Sequence, residues 1–388
     1  MPRRLLAVVS TTKRTSPIRG VLGILSGLPP DEYEISLASL SSDPADNLTA
    51  AFAERGIRCE SLALDGPRRW VPGRRVHDLV RRSQPQILYC TGLRPDVFAG
   101  AAGRACNTVA RVSTLRNIPA EDYRNLYGKL LGSVAWRQHK RALIRNFHRV
   151  VPHATRMEKF LRAAGIPSQQ LQVILNGGDF EGFAAPGAKR RAAAQSRIFG
   201  NTGDPGTVAA FVGELRSAKG PYDLVHAAAE VKQAGRRVSW LLIGAETEGP
   251  ELRRLTRVLG VEANMVFLGF VNDVPGALAA ADLFVHASHS EGLSRALLEA
   301  MAMGLPAIAT DVSGTRDIIP DSSYGTVVPP KNPSALAHAI LELVDDPERR
   351  SRVGSRGHDR VRTKFSSERM ASEYDELFTR LLKRDASG

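Results

Sequence analysis

Two carboxylates eight residues apart, Glu291 and Glu299, lie in the run SHSEGLSRALLEAMAMGLP from Ser288 to Pro306. The pattern predicts a strand ending near Ala287, a Ser/Gly turn, and a helix beginning near Ser294. Backbone N–H groups at a helix start have no partner within the helix and favour anions. One carboxylate can face a sugar held over the helix start. The other can accept two hydroxyl hydrogen bonds from a ribose, as acidic residues do in nucleotide sites. A helix-capping acid followed by a solvent-facing acid gives the same spacing without any ligand. A cation comes from the run FVGELRSAKG, Phe211 to Gly220. There a strand and a turn lead to Lys219 and to a glycine that opens a helix. The Lys219 ammonium can sit on a diphosphate, and Gly220 permits close backbone approach. Lysines in turns are common, so this run speaks only together with the first.

Other polar groups suggest less chemistry. His286 and His289 have His-x-x-His spacing, but at a strand end their side chains face opposite ways, which disfavours a shared metal. His289 can still line the site. Glu246 and Glu248, after the strand ending at Gly244, read as a solvated loop. Cys59, Cys90 and Cys106 are too few for a disulfide framework, lack zinc-ligand spacing and are expected to be buried thiols. No Asp-x-Asp metal motif occurs.

The elements that must position these groups alternate between β-rich runs and helical patterns. In the first half the strands predicted are 5–10, 33–40, 59–64, 87–89, 109–114, 149–153 and 172–175. Helical patterns cover 47–55, 74–82, 96–103, 127–146 and 155–164. Residues 183–206, rich in Ala, Gly, Arg and Pro, read as a linker. A second series follows, with strands at 208–213, 238–244, 265–268, 283–286, 307–310 and 326–328. Its helices include 222–234, 251–259, 297–302 and 334–344. Such alternation argues for parallel sheets covered by helices on both faces. The 388 residues fit two domains. The fold class expected is α/β, with two doubly wound Rossmann-like domains facing a central cleft, ligands binding beyond the carboxyl ends of the strands.

Composition sets further bounds. With 43% apolar and 24% charged residues, a wholly disordered chain is excluded. No run approaches the ~18 apolar residues of a membrane span. Met1 to Arg4 resembles the start of a signal peptide, but its apolar run is too short and no cleavage site follows, so a cytoplasmic location is expected. The net charge of +13 is uneven. Residues 1–180 hold 27 basic against 14 acidic side chains, and residues 181–388 hold 26 of each. The first half should therefore meet an anionic membrane, nucleic acid or phosphorylated substrate. The helix from Lys129 to Arg149, with Arg137, His139, Lys140, Arg141, Arg145, Trp136 and Phe147, is either a solvated face or an interfacial helix near anionic lipid.

Together these segments resemble the retaining glycosyltransferases of family four, glycosyl transferases group 1, whose fold is GT-B. That family's nucleotide domain runs G-R-L-x-x-x-K-G, an aliphatic strand ending in Gly, then D-L-F-V-x-x-S-x-x-E-G-x7-E-A-M-A-x-G-x-P. The corresponding segments are Gly213 to Gly220, Leu241 to Gly244 and Asp282 to Pro306. The run VILNGGD from Val173 to Asp179 is similar to the family's interdomain segment. Phe365 and the helix that follows, to Leu382, are similar to its C-terminal crossover helix. The resemblance covers nearly the whole chain and is specific in the second domain, loose in the first.

The resemblance implies an acceptor domain over 1–180, completed by 366–388, and a nucleotide-sugar domain over 181–365. It places Lys219 on the donor diphosphate, Glu299 on the ribose and Glu291 on the donor sugar. The backbone amides of Gly292, Leu293 and Ser294 would hold the distal phosphate or sugar, with Gly213, Gly220 and Gly244 completing the donor site. It implies metal-independent transfer with retention, the leaving diphosphate being stabilised by Lys219 and the helix dipole. Three departures stand out. The family's arginine is Glu214, with Arg216 nearby. Its glycine-rich loop is only suggested by Gly20 and Gly23, in SPIRGVLG from Ser16. Its histidine after the fifth strand is replaced in VSTLRNIP, Val112 to Pro119, where Arg116 and Asn117 stand as in capsular and exopolysaccharide glycosyltransferases. Arg116 can bind a phosphate of donor or acceptor.

The expected function is a retaining transferase using a UDP- or GDP-sugar as substrate, with no cofactor. The expected acceptor is an anionic lipid-linked or glycan molecule, met by peripheral contact at the inner face of the membrane. Nucleic acid is not expected, because no stacking motif accompanies the charge. The alternatives are a sugar-nucleotide epimerase of the same fold and a non-catalytic nucleotide-sugar or nucleic-acid binder.

Overall fold

The computed structural model describes residues 2–66, 73–200 and 205–385. The chain divides into two units, 1–178 with 367–388, and 179–366.

The first unit contains strands β1 (Arg3–Val9), β2 (Tyr33–Ser39), β3 (Arg58–Ser61), β4 (Ile87–Thr91), β5 (Ala110–Leu115) and β6 (Arg149–Pro152). Helices α1 (Ser16–Ser26), α2 (Thr49–Ala53), α3 (Gly73–Ser83), α4 (Leu93–Ala105), α5 (Pro119–Asn146) and α6 (Thr155–Ala163) alternate with them. The strands form one parallel sheet in the order β3-β2-β1-β4-β5-β6. Because side chains alternate along a strand, β1 feeds two cores. Leu5, Ala7 and Val9 enter one cluster with Val21, Ile24 and Leu25 of α1. Leu6 and Val8 enter the other with Ala99 and Ala102 of α4 and Leu143 of α5. A sheet buried on both faces explains the unbroken apolar run of β1.

The second unit repeats this plan. Its helices are α7 (Ala188–Phe199), α8 (Pro221–Gln233), α9 (Gly249–Val258), α10 (Val274–Leu278), α11 (Arg295–Ala302), α12 (Thr315–Ile318), α13 (Pro333–Asp345) and α14 (Pro347–Lys364). Its strands are β7 (Thr207–Val212), β8 (Val238–Ile243), β9 (Met265–Gly269), β10 (Leu283–His286), β11 (Ala307–Thr310) and β12 (Thr326–Val328). They form a parallel sheet ordered β12-β11-β10-β7-β8-β9, the same topology read from the other edge. In both sheets the strand order reverses once, between β1 and β4 and between β7 and β10. Ligands bind such sheets beyond the carboxyl ends at that switch point. The last helix, α15 (Ser367–Asp385), packs on the first unit, placing Met370, Tyr374, Leu377 and Phe378 in the core beside α1.

Several local expectations are corrected. Residues 172–175 form no strand. Gln172 N and Ile174 N donate to Val150 O and Pro152 O, but only one isolated bridge, Val150 to Leu171, results. Gly20 and Gly23 lie inside helix α1 rather than in a glycine-rich loop. Residues 188–199 are helical, not linker: α7 is tied down by Arg191 on Asp282 and by Gln195 Nε2 donating to Ala280 O at 3.1 Å. Part of the supposed linker, 201–204, lies outside the described residues. The basic helix begins earlier than expected, breaks at Gly128 (φ 78°) and ends at Asn146, so Arg149 belongs to β6. His139, expected among that helix's basic residues, is buried at 1% exposure.

Candidate active site

In the second unit the loops after β7 and β10, the two switch-point strands, are laced together. His289 N donates to Ala218 O at 3.0 Å. Lys219 Nζ donates to Glu291 Oε1 in an ion pair whose side chains are 23% and 20% exposed. Ser288 Oγ reaches the same oxygen at 3.3 Å, and His286 Nε2 stands 3.8 Å from it. Burial pushes the Glu291 carboxyl up, but the His286 imidazole and the Lys219 ammonium outweigh burial and hold it at about 2. Glu291 is therefore a carboxylate throughout the ordinary pH range. Both ring nitrogens of buried His286 lack a hydrogen-bond partner. His289 turns elsewhere, its Nε2 2.8 Å from Asp223 Oδ2. The two histidines thus face different carboxylates, Glu291 and Asp223.

Helix α11 begins on Ser294, whose side chain caps Leu297 N at 3.4 Å. The cap leaves the other first-turn N–H groups at the end of β10. One turn in, Glu299 is 9% exposed and accepts from Arg295 Nε at 2.6 Å. Each of the two acids predicted for the site is thus held by its own cation. Gly292, Leu293 and Ser294 form the buried lead-in, and Gly314 packs so closely on it that a Cβ there would meet Gly292 O at 2.4 Å.

The glycines serve the backbone of the site. Gly220 has φ +72°, and a Cβ on it would lie 2.0 Å from Ala287 O. The close approach it permits is to the end of β10, which sets Lys219 against Glu291. Gly244 has φ +148°, and its Cβ would lie 1.9 Å from Gly213 O, so glycine at 244 lets the adjacent strand ends touch. Glu214, standing where the family has arginine, pairs with Arg216 Nε at 3.1 Å and accepts from Thr247 Oγ1 at 2.7 Å. Arg216 is therefore engaged by Glu214 itself. Glu246 pairs with Arg253 at 2.9 Å, and Glu248 accepts from Ser217 N at 3.0 Å. Among the described residues no three His, Cys, Asp or Glu side chains converge to hold a metal ion.

Gly20, Arg116 and Asn117 lie in the first unit. A Cβ on Gly20 would lie 2.3 Å from Arg116 Nη1, so α1 passes close only because residue 20 is glycine. Arg116 Nη1 donates to Asn176 Oδ1 at 3.3 Å, while Nε and Nη2 are buried without a partner. Arg116 and Asn117 line a cavity of about 290 Å³ at the carboxyl ends of β1, β4 and β5. Sequence reasoning missed Tyr123 and His139, which also line this cavity, and Asp96, which is bonded to His139. Tyr123 Oη is 2.6 Å from His139 Nδ1, and His139 Nε2 is 2.7 Å from Asp96 Oδ2. No spacing rule joins these three residues; the one signal was a histidine and an aspartate within otherwise apolar helix faces.

Residues 19–181 match the family described as Glycosyltransferase Family 4, and residues 195–360 match Glycosyl transferases group 1. Alpha-D-kanosaminyltransferase of Streptomyces kanamyceticus is 30% identical over 180 residues, covering 45% of this chain and 47% of that protein. The capsular polysaccharide biosynthesis glycosyltransferase CapM of Staphylococcus aureus is 29% identical over 177 residues, covering 45% and 47%. The chain spans about half the length of the curated relatives it matches. In fold it is similar to Anabaena Alr3699/HepE, solved in complex with UDP, with a TM-score of 0.82 at 19% identity over 97% of this chain and 99% of that one. The two family matches together take in residues 19–360 apart from 182–194, and with two doubly wound sheets of matching topology the chain belongs to family 4 of the glycosyltransferases, the group 1 enzymes of GT-B fold.

Proposed function

We propose that this protein transfers a sugar from a nucleotide-sugar donor to an anionic glycan or lipid-linked acceptor, with retention at the anomeric centre and without a metal ion. The observation that carries this reading is the Lys219–Glu291 pair at the start of α11, at the switch point of the second sheet. A donor diphosphate arriving there exchanges Glu291 for phosphate oxygens around Lys219. Glu291 is then free to accept from sugar hydroxyls, and Glu299 from the ribose. The acceptor oxygen bonds to the anomeric carbon on the face the leaving group departs from, and its proton passes to the departing phosphate oxygen. The bond to the phosphate oxygen breaks with its electron pair on the diphosphate, where Lys219 and the N-terminus of α11 meet the developing charge.

The solved complexes of Anabaena Alr3699/HepE with UDP and with UDP-glucose support a uridine donor as the first to test, with GDP-sugars next. For the acceptor side, the excess positive charge of residues 1–180 supports an anionic partner. Of seven exposed large apolar side chains among the described residues, five lie between Leu126 and Val134, so they form one patch rather than a scatter. Leu130, Leu131 and Val134 share a face of α5 beside Lys129 and Arg137. A patch of this composition supports peripheral contact with an anionic membrane at the cytoplasmic face. Lys140 contributes less than its charge suggests, because its Nζ donates to Ala164 O at 3.1 Å. No described helix is long and apolar enough to cross a membrane. Calorimetry with UDP tests the donor assignment. Glu299→Ala should weaken binding by about 1.5–3 kcal/mol, the range for a hydrogen bond to a charged group. Unchanged affinity in the folded variant refutes the ribose role.

A further inference from the structure

The cavity lined by Arg116 and Asn117 adjoins a buried chain of titratable groups that the transfer chemistry above does not use. Asp96 is 0% exposed and His139 is 1% exposed, and Tyr123 and His139 both line the cavity. The buried Cys90 thiol faces Asp96, and the Trp136 ring packs edge-on against His139. The Ser113 hydroxyl of β5 and His139 lie beside Asp96, while Asp122 and Tyr127 flank Tyr123. A net charge buried this deeply costs several kcal/mol. Two arrangements of the pair are neutral: an Asp96 carboxylate with a His139 imidazolium, and a protonated Asp96 with a neutral imidazole. Both place a proton on His139 Nδ1, because Nε2 is occupied by Asp96 in either case. Burial, which raises the Asp96 carboxyl from its ordinary value, works in the same direction. With Nδ1 donating to Tyr123 Oη, the tyrosine's own proton is left for something in the cavity. Arg116, whose Nε and Nη2 are buried without a partner, lines the same cavity with its guanidinium, as does the Asp122 carboxylate. The cavity thus places the tyrosine proton beside a cation, and at about 290 Å³ it suits a group of one sugar's size.

Resting on the transferase reading, we propose that this cavity binds the oxyanion of the acceptor, a phosphate or carboxylate on its sugar, and that the Tyr123 hydroxyl donates to that anion alongside Arg116. His139 and Asp96 act as positioning residues that turn the tyrosine proton outward. The test is calorimetry on the full chain with glucose 1-phosphate, glucuronate and glucose, with and without saturating UDP. The wild type should bind both anions about tenfold or more tighter than glucose. Saturating UDP should leave those affinities unchanged, which separates an acceptor oxyanion from the donor's own phosphates. Tyr123→Phe should weaken both anions about tenfold and leave UDP binding as it was. Nitrogen-15 NMR of histidine-labelled wild type should show His139 protonated at Nδ1 and shifting when glucose 1-phosphate is added, a readout that needs no variant to fold. Equal affinity for glucose, displacement by UDP, an unaffected Tyr123→Phe, or an unprotonated Nδ1 would each overturn the proposal. A wild type that binds the anions but never UDP would instead overturn the transferase reading, and the acceptor assignment with it.

Discussion

Lys219 cannot serve a diphosphate while it is paired with Glu291, and Glu291→Gln exposes that competition. Glu291 is held at about 2, against an ordinary 4.5. That difference corresponds to about 3 kcal/mol of preference for the charged form. His286 and Lys219 supply this preference against the opposing effect of burial, and a lysine share on the order of one pH unit corresponds to about tenfold. Both side chains are about four-fifths buried, so screening by solvent takes away only part of this. Glutamine keeps the shape and removes the charge. UDP should therefore bind Glu291→Gln about tenfold tighter than wild type, while turnover falls because the sugar has lost its carboxylate. The assay is calorimetry at pH 7 on wild type, Glu291→Gln, Lys219→Met and the double variant. The cycle matters, because the gain must disappear when Lys219 is absent. Equal or weaker UDP binding in Glu291→Gln, or a gain that survives Lys219→Met, refutes the reasoning.

Other consequences are simpler. The folded-state value of Glu291 is depressed, so its contribution to stability is full above about 4.5 and is lost as pH falls toward about 2. The thermal-midpoint gap between wild type and Glu291→Gln should narrow over that window, and a gap constant from pH 6 to 2.5 would show the carboxylate to be unpaired. Gly220→Ala places a methyl group 2.0 Å from Ala287 O at φ +72° and should cost more than about 1 kcal/mol, read as a lowered thermal midpoint. An unchanged midpoint would show that the strand ends do not touch there. Leu130→Asp with Leu131→Asp should reduce sedimentation with phosphatidylglycerol vesicles, as should high salt, and no loss would place the membrane contact elsewhere.

The fold was legible where one signal sufficed. The strands β10, β11 and β12 are short apolar runs bounded by turns, and their limits read from sequence coincide with those observed. Legibility failed where tertiary contacts overrode local pattern. Helix α1 carries Gly20 and Gly23, which suggest a loop, and Gly27 follows its last turn, yet Gly20 and Gly27 are where neighbours approach. A Cβ on Gly27 would lie 2.5 Å from Ala371 Cβ of α15, over 340 residues away in sequence, and Gly20 admits Arg116. Helix α7 has no strong apolar stripe and is held by polar contacts to Asp282 and Ala280, partners that spacing does not reveal. In the second unit the sequence located the groups that meet, Lys219, Glu291 and the start of α11. It did not show that the first two neutralise one another, because a contact between loops after different strands leaves no periodic trace. Likewise His139 looked like one cation on a basic helix. Its role is set by Asp96, 43 positions earlier on α4, and by Tyr123 across the break at Gly128.

The most direct test of the account follows the anomer of the sugar released when water replaces the acceptor. Wild-type protein is incubated in chelator with UDP-glucose, then with GDP- and ADP-sugars, and the first-formed sugar is observed by real-time proton NMR before it mutarotates. Retaining, metal-independent cleavage predicts that α-glucose appears first from UDP-glucose, or the α-sugar from whichever α-linked donor is used, and that Lys219→Met abolishes its release. A β-sugar appearing first, cleavage only after magnesium or manganese is restored, or no cleavage of any nucleotide sugar would contradict it.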